Sequence, residues 1–386
     1  EDRCDQIERE MRDPKAAERF ALKQSQAFVD QMEGFALELE DELMNFSDVS
    51  YKSFVKSESE IITLFYDKFA DIPLLSRMDA VAETFIDEIE TLLNRDLPEE
   101  ERIPLIEKFR KMYETMDFYV LYNRFLKKEG YQTLPRRPLE KRKLRYEDVY
   151  PVLYLKYRLS RQAERSNIKH LVIDEMQDYS RLQYLIIRRM FSCKMTILGD
   201  RAQTMADQQQ DVLQFLPGIF GKDLRRIEMR KSYRNTVEIA SYAANLIGVT
   251  DPELFERHGM PVLERDVTDL EAALREAVDT LFPEEKTYET AAVIVPDEKT
   301  AERAYLILRE ILAEKDFDCE KRLSWLNRDS SSFKKGLTVT TFYLAKGLEF
   351  DQVFSIFPKD EKREMMMQAQ YIAATRALHE LRVYHI

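Results

Sequence analysis

The sequence has little cysteine, little glycine and no long apolar run. Its 386 residues include 9 Gly, 13 Pro and 3 Cys, and the cysteines Cys4, Cys193 and Cys319 lie far apart without a CxxC pair. These absences exclude a disulfide scaffold, a cysteine-rich zinc site and a fibrous or loop-built protein. No apolar run reaches the ~18 residues that a membrane span requires. We therefore expect a globular, helix-rich protein of a reducing compartment, the cytoplasm, that does not cross a membrane.

A phosphate-binding loop of the form GxxxxGK[ST] is also missing. Gly221-Lys222 comes nearest, but Asp223 follows it, Leu216 stands where the first glycine belongs, and no predicted strand precedes it. Such a loop supplies the backbone N–H groups and the lysine that hold phosphates. Because the first residue is Glu1 and not Met, we expect this chain to have been cut from a longer protein.

Charge is distributed unevenly along the chain. The formal net charge is -12, and residues 1–100 hold 26 acidic against 11 basic residues, whereas residues 101–386 hold 45 against 48. An acidic segment repels the phosphate backbone of nucleic acid and attracts basic protein surfaces. The acidic segment is either a solvated helix surface or a contact for a basic partner, and charge alone leaves both interpretations open.

The first 130 residues show helical periodicity only. Apolar residues recur every three or four positions from Phe28 onward and again from Met78 onward, which predicts two helices that each bury one face. Ser76 followed by Asp79 resembles a capping box at the start of the second helix. A third helix is expected from about residue 104 to residue 128, so this part of the chain should be helical throughout.

A stretch rich in proline and basic residues, PRRPLEKRKLR at 135–145, marks a change of pattern. It is a domain boundary or only a solvated linker. Beyond it, short β-rich apolar runs alternate with helical stretches, which predicts an α/β architecture with a mostly parallel sheet. In such sheets the functional groups lie at the carboxyl ends of the strands. The predicted strands are 171–174, 195–200, 225–229, 291–296, 337–342, 352–357 and 380–385.

Polar side chains follow two of these predicted strands. The run LVID leads directly into Asp174, Glu175 and Gln177. One carboxylate there could hold Mg²⁺ and its neighbour could deprotonate an attacking water, as NTP hydrolysis requires. The next run ends at Gly199, where glycine admits close backbone approach, and Gln203 could sense a γ-phosphate or the attacking water. Taken singly, the first stretch is also typical of an acidic surface loop after a strand, and the second is also typical of a polar turn between a strand and a helix.

Three further segments complete an ordered set of motifs. KSYRNTVEIA (231–240), TVTTFYLAKGLEFDQV (338–353) and YIAATRALHEL (371–381) resemble motifs IV, V and VI of superfamily 1 helicases of the UvrD/Rep type. Within that group, TFYLAKGLEFD, KMTILGD and LRYEDVYPVLYLKYRL resemble the HelD branch, which associates with RNA polymerase. The resemblance covers residues from about 146 to 386.

The resemblance implies RecA-like P-loop NTPase lobes, each a parallel sheet with flanking helices. A helical arm (1–145) would precede the C-terminal part of the first lobe (146–230) and the second lobe (231–386), with ATP and Mg²⁺ bound between the lobes. At the matching positions, Asp174 is implied as the Mg²⁺ ligand and Glu175 as the general base. Gln203 would link the γ-phosphate to domain motion.

In the second lobe the resemblance implies that Arg234 and Arg376 are arginine fingers and that Tyr233 stacks on adenine. A planar guanidinium suits the finger role because it contacts phosphoryl oxygens bidentately. Glu349, two residues after Gly347, would contact the ribose or phosphate side of the nucleotide. Two alternatives stay open: Tyr233 as a core aromatic residue and Glu349 as a carboxylate at a helix N-terminus.

Only about 100 residues separate motif IV from motif V, which leaves little room for the large accessory helical domain of UvrD-like DNA helicases. We therefore expect an ATP-driven motor that uses its arm to remodel or release RNA polymerase. Since the family carries a phosphate-binding loop that is missing here, the resemblance implies that this chain is the C-terminal part of a longer motor whose preceding segment carries that loop. This chain would therefore be inactive alone. A DNA helicase or translocase, with DNA as the partner, and a non-catalytic binding module that kept the fold are the alternatives.

Overall fold

The computed structural model describes residues 2–161, 167–200, 212–229, 233–249, 253–284, 287–315, 317–330, 335–359 and 364–386. The chain forms two compact units. The first consists of Glu1–Gly199 with Gln210–Leu224, and the second of Asp200–Gln209 with Arg225–Ile386. None of the helices in the described ranges combines the length and the apolar character needed to cross a membrane.

Helices dominate the first unit and flank the sheet of the second. The described residues contain fifteen α-helices: α1 Arg3–Arg12, α2 Pro14–Gln24, α3 Gln26–Glu42, α4 Glu58–Thr63, α5 Arg77–Leu93, α6 Glu99–Arg110, α7 Phe118–Lys128, α8 Tyr146–Leu159, α9 Arg181–Met190, α10 Val212–Phe220, α11 Val237–Leu246, α12 Leu270–Asp279, α13 Glu298–Ala313, α14 Cys319–Arg322 and α15 Glu364–Thr375.

Within the described residues the strands form three separate sheets. The first unit holds an antiparallel hairpin and a parallel pair, and the second unit holds a parallel sheet of six strands in the order β5-β10-β9-β6-β8-β7. The strands within the described residues are β1 Val49–Tyr51, β2 Phe54–Lys56, β3 His170–Ile173, β4 Lys194–Ile197, β5 Leu263–Asp266, β6 Thr290–Val295, β7 Leu323–Trp325, β8 Gly336–Thr341, β9 Phe350–Phe357 and β10 Ala377–His385.

One core joins the helices on both sides of residue 145 in the first unit. Buried side chains of α3, α5, α6 and α7 pack with Tyr154 of α8 and Leu182 of α9. The rings of Phe28 and Phe125 meet edge to face with 5.2 Å between their centroids, a favoured aromatic geometry. The acidic helical segment and the helices next to the β3–β4 pair are therefore parts of one packed body.

A partly buried carboxylate strengthens that connection. Glu33 of α3 accepts hydrogen bonds from the Tyr154 hydroxyl, from Arg158 Nε at 2.8 Å and from Arg189 Nη2 at 3.0 Å. Burial acts to raise the pKa of Glu33, but the hydrogen bonds from Tyr154 and Arg158 prevail and lower it. One side chain thus holds α3, α8 and α9 together.

The sheet of the second unit is covered on both faces. Residues of β6, β8 and β9 are buried almost without interruption, as expected for parallel strands that have helices on either side. Helices α12 and α13 pack on the apolar core, and α15 packs against β9 and α11. The edge strand β5 is exposed and charged, which discourages pairing with another chain.

The predicted α/β architecture with a parallel sheet is confirmed, but one predicted strand is wrong. Residues 225–229 belong to no helix or strand, and Ile227 and Met229 are 76% and 88% exposed. No neighbouring strand accompanies this segment in the part of the chain that the structure describes. The edge strands β5 and β7 are observed without having been predicted, because they are short and one of them is charged.

Three details of the helical segment also differ from expectation. The hairpin β1–β2 interrupts the region predicted to be helical throughout, and the third helix is two helices, α6 and α7. Asp117 explains the second start, since its side chain accepts the Tyr119 N–H at 2.9 Å as an N-cap. The capping box expected at Ser76 is absent, because Ser76 Oγ accepts the backbone N–H of Arg161 at 2.8 Å instead.

Candidate functional site

The two carboxylates predicted at the end of β3 lie in a tight turn of the first unit. Glu175 has a left-handed backbone (φ 52°, ψ 51°), which costs a residue with a side chain about 1–3 kcal/mol. Its N–H donates to Asp174 Oδ1 at 2.8 Å, and its own carboxylate accepts from the Gln177 side-chain amide. The turn therefore fixes both carboxylates relative to the strand end.

Gly199 holds this turn against the end of β4. The Met176 N–H donates to the Leu198 carbonyl at 2.8 Å, so the two chain segments remain paired beyond the strands. A Cβ at position 199 would lie 2.6 Å from the Met176 nitrogen and 2.5 Å from Gln177 Oε1. The close backbone approach expected of Gly199 is confirmed, and only glycine fits there without displacing the turn.

Asp174 fits a magnesium ligand by its chemistry. Its side chain is exposed at the carboxyl end of β3, and Mg²⁺ sites in nucleotide-binding proteins combine one or two carboxylates with phosphate oxygens and waters. Within the described ranges, no group of three or more His, Cys, Asp or Glu side chains is placed to hold a metal ion. Asp174 thus offers carboxylate oxygens, which are ligands that Mg²⁺ takes in proteins.

In the second unit the structure brings Arg234 and Glu349 together. Arg234 Nε lies 2.6 Å from Glu349 Oε1, and both side chains are largely exposed. Glu349 directly precedes β9 and starts no helix, so the alternative of a helix N-terminal carboxylate is wrong. Gly347, two residues earlier, has a left-handed backbone (φ 78°) in open space, which turns the chain toward Glu349.

Arg376 is buried at the C-terminal end of α15. Its side chain is 1% exposed, with Nε donating to the Ile372 carbonyl at 3.3 Å and Nη2 to Thr375 Oγ1 at 3.2 Å. A cation at this position is favoured because the last carbonyls of a helix carry partial negative charge. In this structure, therefore, the guanidinium serves the end of its own helix.

Asn235 connects the segments that carry the two arginines, a role that the sequence analysis missed. Its side chain is buried, and Nδ2 donates to the carbonyls of Thr375 at 3.2 Å and Ala377 at 2.7 Å. These carbonyls lie on either side of Arg376, and Arg234 directly precedes Asn235. In the sequence, the only indication of this role was that Asn235 directly follows Arg234, a predicted functional arginine.

A second connection comes from the loop of residues 253–260. Arg257 Nη2 donates to the Leu378 carbonyl at 2.8 Å and also to the carbonyl of Arg234. No motif in the sequence marks Arg257. Together with Asn235, it fixes the backbone next to both arginines.

The same loop is held at the start of α11. Glu238 accepts from His258 Nδ1 at 3.0 Å and from the Gly259 N–H at 2.8 Å. Burial acts to raise the pKa of Glu238, but these hydrogen bonds prevail and lower it to about 2. The loop is consequently held at two places, at α11 and at the arginine segments.

Tyr233 lies on the surface of the second unit. Its side chain is 60% exposed, and its ring centroid is 5.5 Å from that of Phe255 at a tilt of 37°. The alternative of a core aromatic residue is therefore wrong. Gln203, predicted to sense the γ-phosphate, lies outside the described residues.

Comparisons with known proteins give one family match. Residues 5–205 match the family described as UvrD/REP helicase N-terminal domain. No curated protein matches the sequence significantly.

Three similar solved structures are distant from this chain. The C-terminal domain of a "possible DNA helicase" from Lactobacillus plantarum WCFS1 is 23% identical (TM-score 0.30), over 40% of this chain and 88% of that domain. PRRSV helicase is 14% identical (TM-score 0.31), over 69% of this chain and 45% of its own. The DUF1998 helicase MrfA bound to DNA is 12% identical (TM-score 0.34), over 57% of this chain and 31% of its own. This chain thus spans less than half the length of the last two proteins. Similarities with identities and TM-scores this low do not indicate that this chain shares their activity.

We predict that Asn235→Ala destabilises the second unit by about 1–3 kcal/mol, because it leaves two buried carbonyls unpaired. Asn235→Asp should cost more, since a carboxylate cannot donate to them. The single tryptophan, Trp325, lies in β7 of this unit, so its fluorescence during urea unfolding reports the change. Asn245→Ala on the exposed face of α11 is the matched control and should leave the midpoint almost unchanged. Equal midpoints for Asn235→Ala and the control would contradict the role of the amide.

Proposed function

Because this chain belongs to the UvrD/REP helicase family, we propose that it is part of an ATP-driven motor that remodels or releases RNA polymerase from nucleic acid. The motor function is supported chiefly by the strained turn at the end of β3, which holds Asp174 and Glu175 in fixed positions. Strained backbone persists where the surrounding structure imposes it, and it is concentrated at functional sites.

In this proposal each unit supplies part of the ATP chemistry. When bound, Mg²⁺ neutralises phosphate charge, and Asp174 is the residue that holds it. Glu175, oriented by the Gln177 amide, accepts the proton of the attacking water. Gln203 links the γ-phosphate to movement of the motor, as the resemblance to the family implies.

The second unit would contribute positively charged arginines and an aromatic ring to the binding of ATP. Arg234 and Arg376 contact the phosphoryl group in the transition state, where their guanidinium groups stabilise the spreading negative charge. Tyr233 stacks on adenine, and Glu349, reached through the Gly347 turn, contacts the ribose or phosphate side. Arg234 has to exchange Glu349 for phosphate oxygens when ATP arrives.

The exchange of partners at Arg234 could couple ATP binding to a conformational change. Arg376 likewise has to leave the Ile372 carbonyl and the Thr375 hydroxyl to which it now donates. Because Asn235 and Arg257 tie the backbones of the two arginine segments together, displacement of one segment would move the other. ATP binding would thus act on the second unit as a whole.

RNA polymerase as the partner is supported by charge and by chain length. Residues 1–100 contain 26 acidic and 11 basic residues. A segment with this excess of negative charge is attracted to a positively charged protein surface. Between motifs IV and V the described chain forms α11 to α14 and β5 to β7 of one compact unit. This arrangement contains no large accessory helical domain within the described ranges, which favours a remodeler over a duplex-unwinding helicase.

We predict that the purified chain does not hydrolyse ATP, because it lacks the GxxxxGK[ST] loop that would hold the phosphates. Adding a preceding segment that contains such a loop, covalently or in trans, should produce turnover, measured as phosphate release. Glu175→Gln in the reassembled motor should abolish turnover and trap bound ATP. Turnover by the chain alone that disappears on Glu175→Gln would contradict this prediction.

In the complete motor, Arg234→Ala and Arg376→Ala should each lower kcat by about 10³-fold with little change in ATP affinity, as expected of groups that act in the transition state. Arg309→Ala on the exposed face of α13 is the matched control. Trp325 fluorescence checks folding. If a folded variant of either arginine keeps its turnover, that residue is not an arginine finger.

The polymerase contact can be tested by charge. We expect the whole chain to capture core RNA polymerase in a pull-down that weakens as salt rises, because screening reduces attraction between exposed charges. The variant Glu42→Gln/Asp67→Asn/Asp87→Asn/Asp96→Asn neutralises four exposed acids of the first unit and should lower recovery. The whole chain is used because residues 1–130 share their core with α8 and α9.

The matched control neutralises four exposed acids of the second unit, Glu253, Glu256, Glu302 and Glu310, each to Gln. Its net charge equals that of the first variant, so a difference between them reports position and not total charge. Equal recovery of the two variants would remove the polymerase proposal and favour the DNA motor.

A further inference from the structure

The basic loop, defined as residues 135–145, is a cationic surface in an otherwise acidic unit. Its eleven residues, PRRPLEKRKLR, include six Lys or Arg and one Glu. The loop is exposed for most of its length and contains a single 3-10 turn, Leu139–Lys141. Residues 1–100 of the same unit carry the opposite sign of charge, so the basic loop stands out by contrast.

The first half of the basic loop is anchored to α7. The Tyr119 hydroxyl donates to the Pro135 carbonyl at 2.8 Å, and the Leu134 N–H just before the loop donates to Asn123 Oδ1 at 2.7 Å. Arg142 Nε donates to the Arg137 carbonyl at 3.0 Å, while its guanidinium lies 4.7 Å from the centroid of the Tyr119 ring. These contacts fold the loop back on itself.

The far end of the basic loop runs into α8, whose first turn is fixed by buried charge. Lys23 Nζ lies 2.6 Å from Asp148 Oδ1, and the Tyr122 hydroxyl donates to the same oxygen at 2.8 Å. Both Lys23 and Asp148 are buried. The loop is therefore held at both ends, and its exposed cations are presented from a fixed base.

Four cations of the basic loop point to an anionic partner. Arg136, Arg137, Lys141 and Lys143 are exposed, and none of them forms an ion pair with a carboxylate in the part of the chain that the structure describes. Some other cations of this unit do pair, namely Lys52 with Glu101, Arg110 with Asp79, Arg124 with Glu114 and Lys128 with Glu38. In a unit with such an excess of acids, four neighbouring cations without carboxylates form a concentrated positive surface.

We propose that the basic loop binds the phosphate backbone of duplex DNA. Several exposed cations within one short loop suit a polyanion better than a single small anion, which needs an enclosing pocket. The loop contains no aromatic residue, whereas proteins that hold single strands add aromatic side chains on which bases stack. Contact through phosphates alone is independent of base sequence.

This inference depends neither on ATP chemistry nor on the RNA polymerase partner. It assigns DNA contact to a segment outside the helicase motifs. It also separates the function of the first unit into two surfaces, an acidic one that repels DNA and a basic one that binds it.

The test measures binding of a fluorescent 20-base-pair duplex to the whole chain, without nucleotide, between 50 and 200 mM salt. The loop variant Arg136→Gln/Arg137→Gln/Lys141→Gln/Lys143→Gln should flatten the slope of log affinity against log salt by about 3–4, since each phosphate contact contributes about 0.9. Over this range, the affinity of the unmodified chain should therefore fall roughly 100-fold more than that of the variant. Circular dichroism checks that the variants fold.

The control variant Lys52→Gln/Arg110→Gln/Arg124→Gln/Lys128→Gln removes four paired cations of the same unit and has the same net charge as the loop variant. Its salt slope should match that of the unmodified chain. Equal slopes for the two variants would overturn the proposal, as would a lack of duplex binding by the unmodified chain. The same measurement is made with a single-stranded 20-mer. If the loop variant flattens the salt slope for the single strand but not for the duplex, the proposal is also overturned. Failure of the ATP predictions would leave these measurements unaffected.

Discussion

The buried Asn235 amide is the interaction on which the candidate site of the second unit depends. Its two hydrogen bonds end on carbonyls that lie before and after Arg376, while its own backbone follows Arg234. An amide is suited to this place because both partners are acceptors and its NH₂ group offers two donors. The loop that carries one arginine is thereby fixed to the junction of α15 and β10 that carries the other, and Arg257 adds a second tie.

The parts of the fold that could be predicted are those where the environment of a residue follows from its neighbours in sequence. Strands β6, β8 and β9 are buried on both faces, so β6 is apolar after its first residue, and β8 and β9 are rich in β-branched and aromatic residues. An edge strand pairs on one side only, and its other side faces solvent. Strand β5 is such an edge strand, and its sequence is therefore mostly charged. Residues 225–229 have the composition of a strand, but composition cannot supply the neighbouring strand that pairing requires.

The same distinction explains the candidate site. Asp174 and Glu175 could be located because strand ends of a parallel sheet carry functional groups, and Gly199 because glycine at a strand end has a steric reason. The contacts of Asn235 and Arg257 join residues that are more than 100 positions apart, and no local pattern encodes them. The burial of Arg376 was equally hidden, since its sequence context resembles that of an exposed catalytic arginine.

The order of strands in the second unit has a consequence for its synthesis. Strand β10 is made after all the others but lies between β5 and β9, pairing Arg382 with Leu263 on one side and with Phe354 on the other. Chains emerge from the ribosome N-terminal end first, so β5 waits as an unpaired edge while four more strands are made. Until β10 emerges, the nascent unit exposes two strand edges that any other extended chain can join. Protection of these edges during synthesis would then reduce mispairing before the sheet is complete.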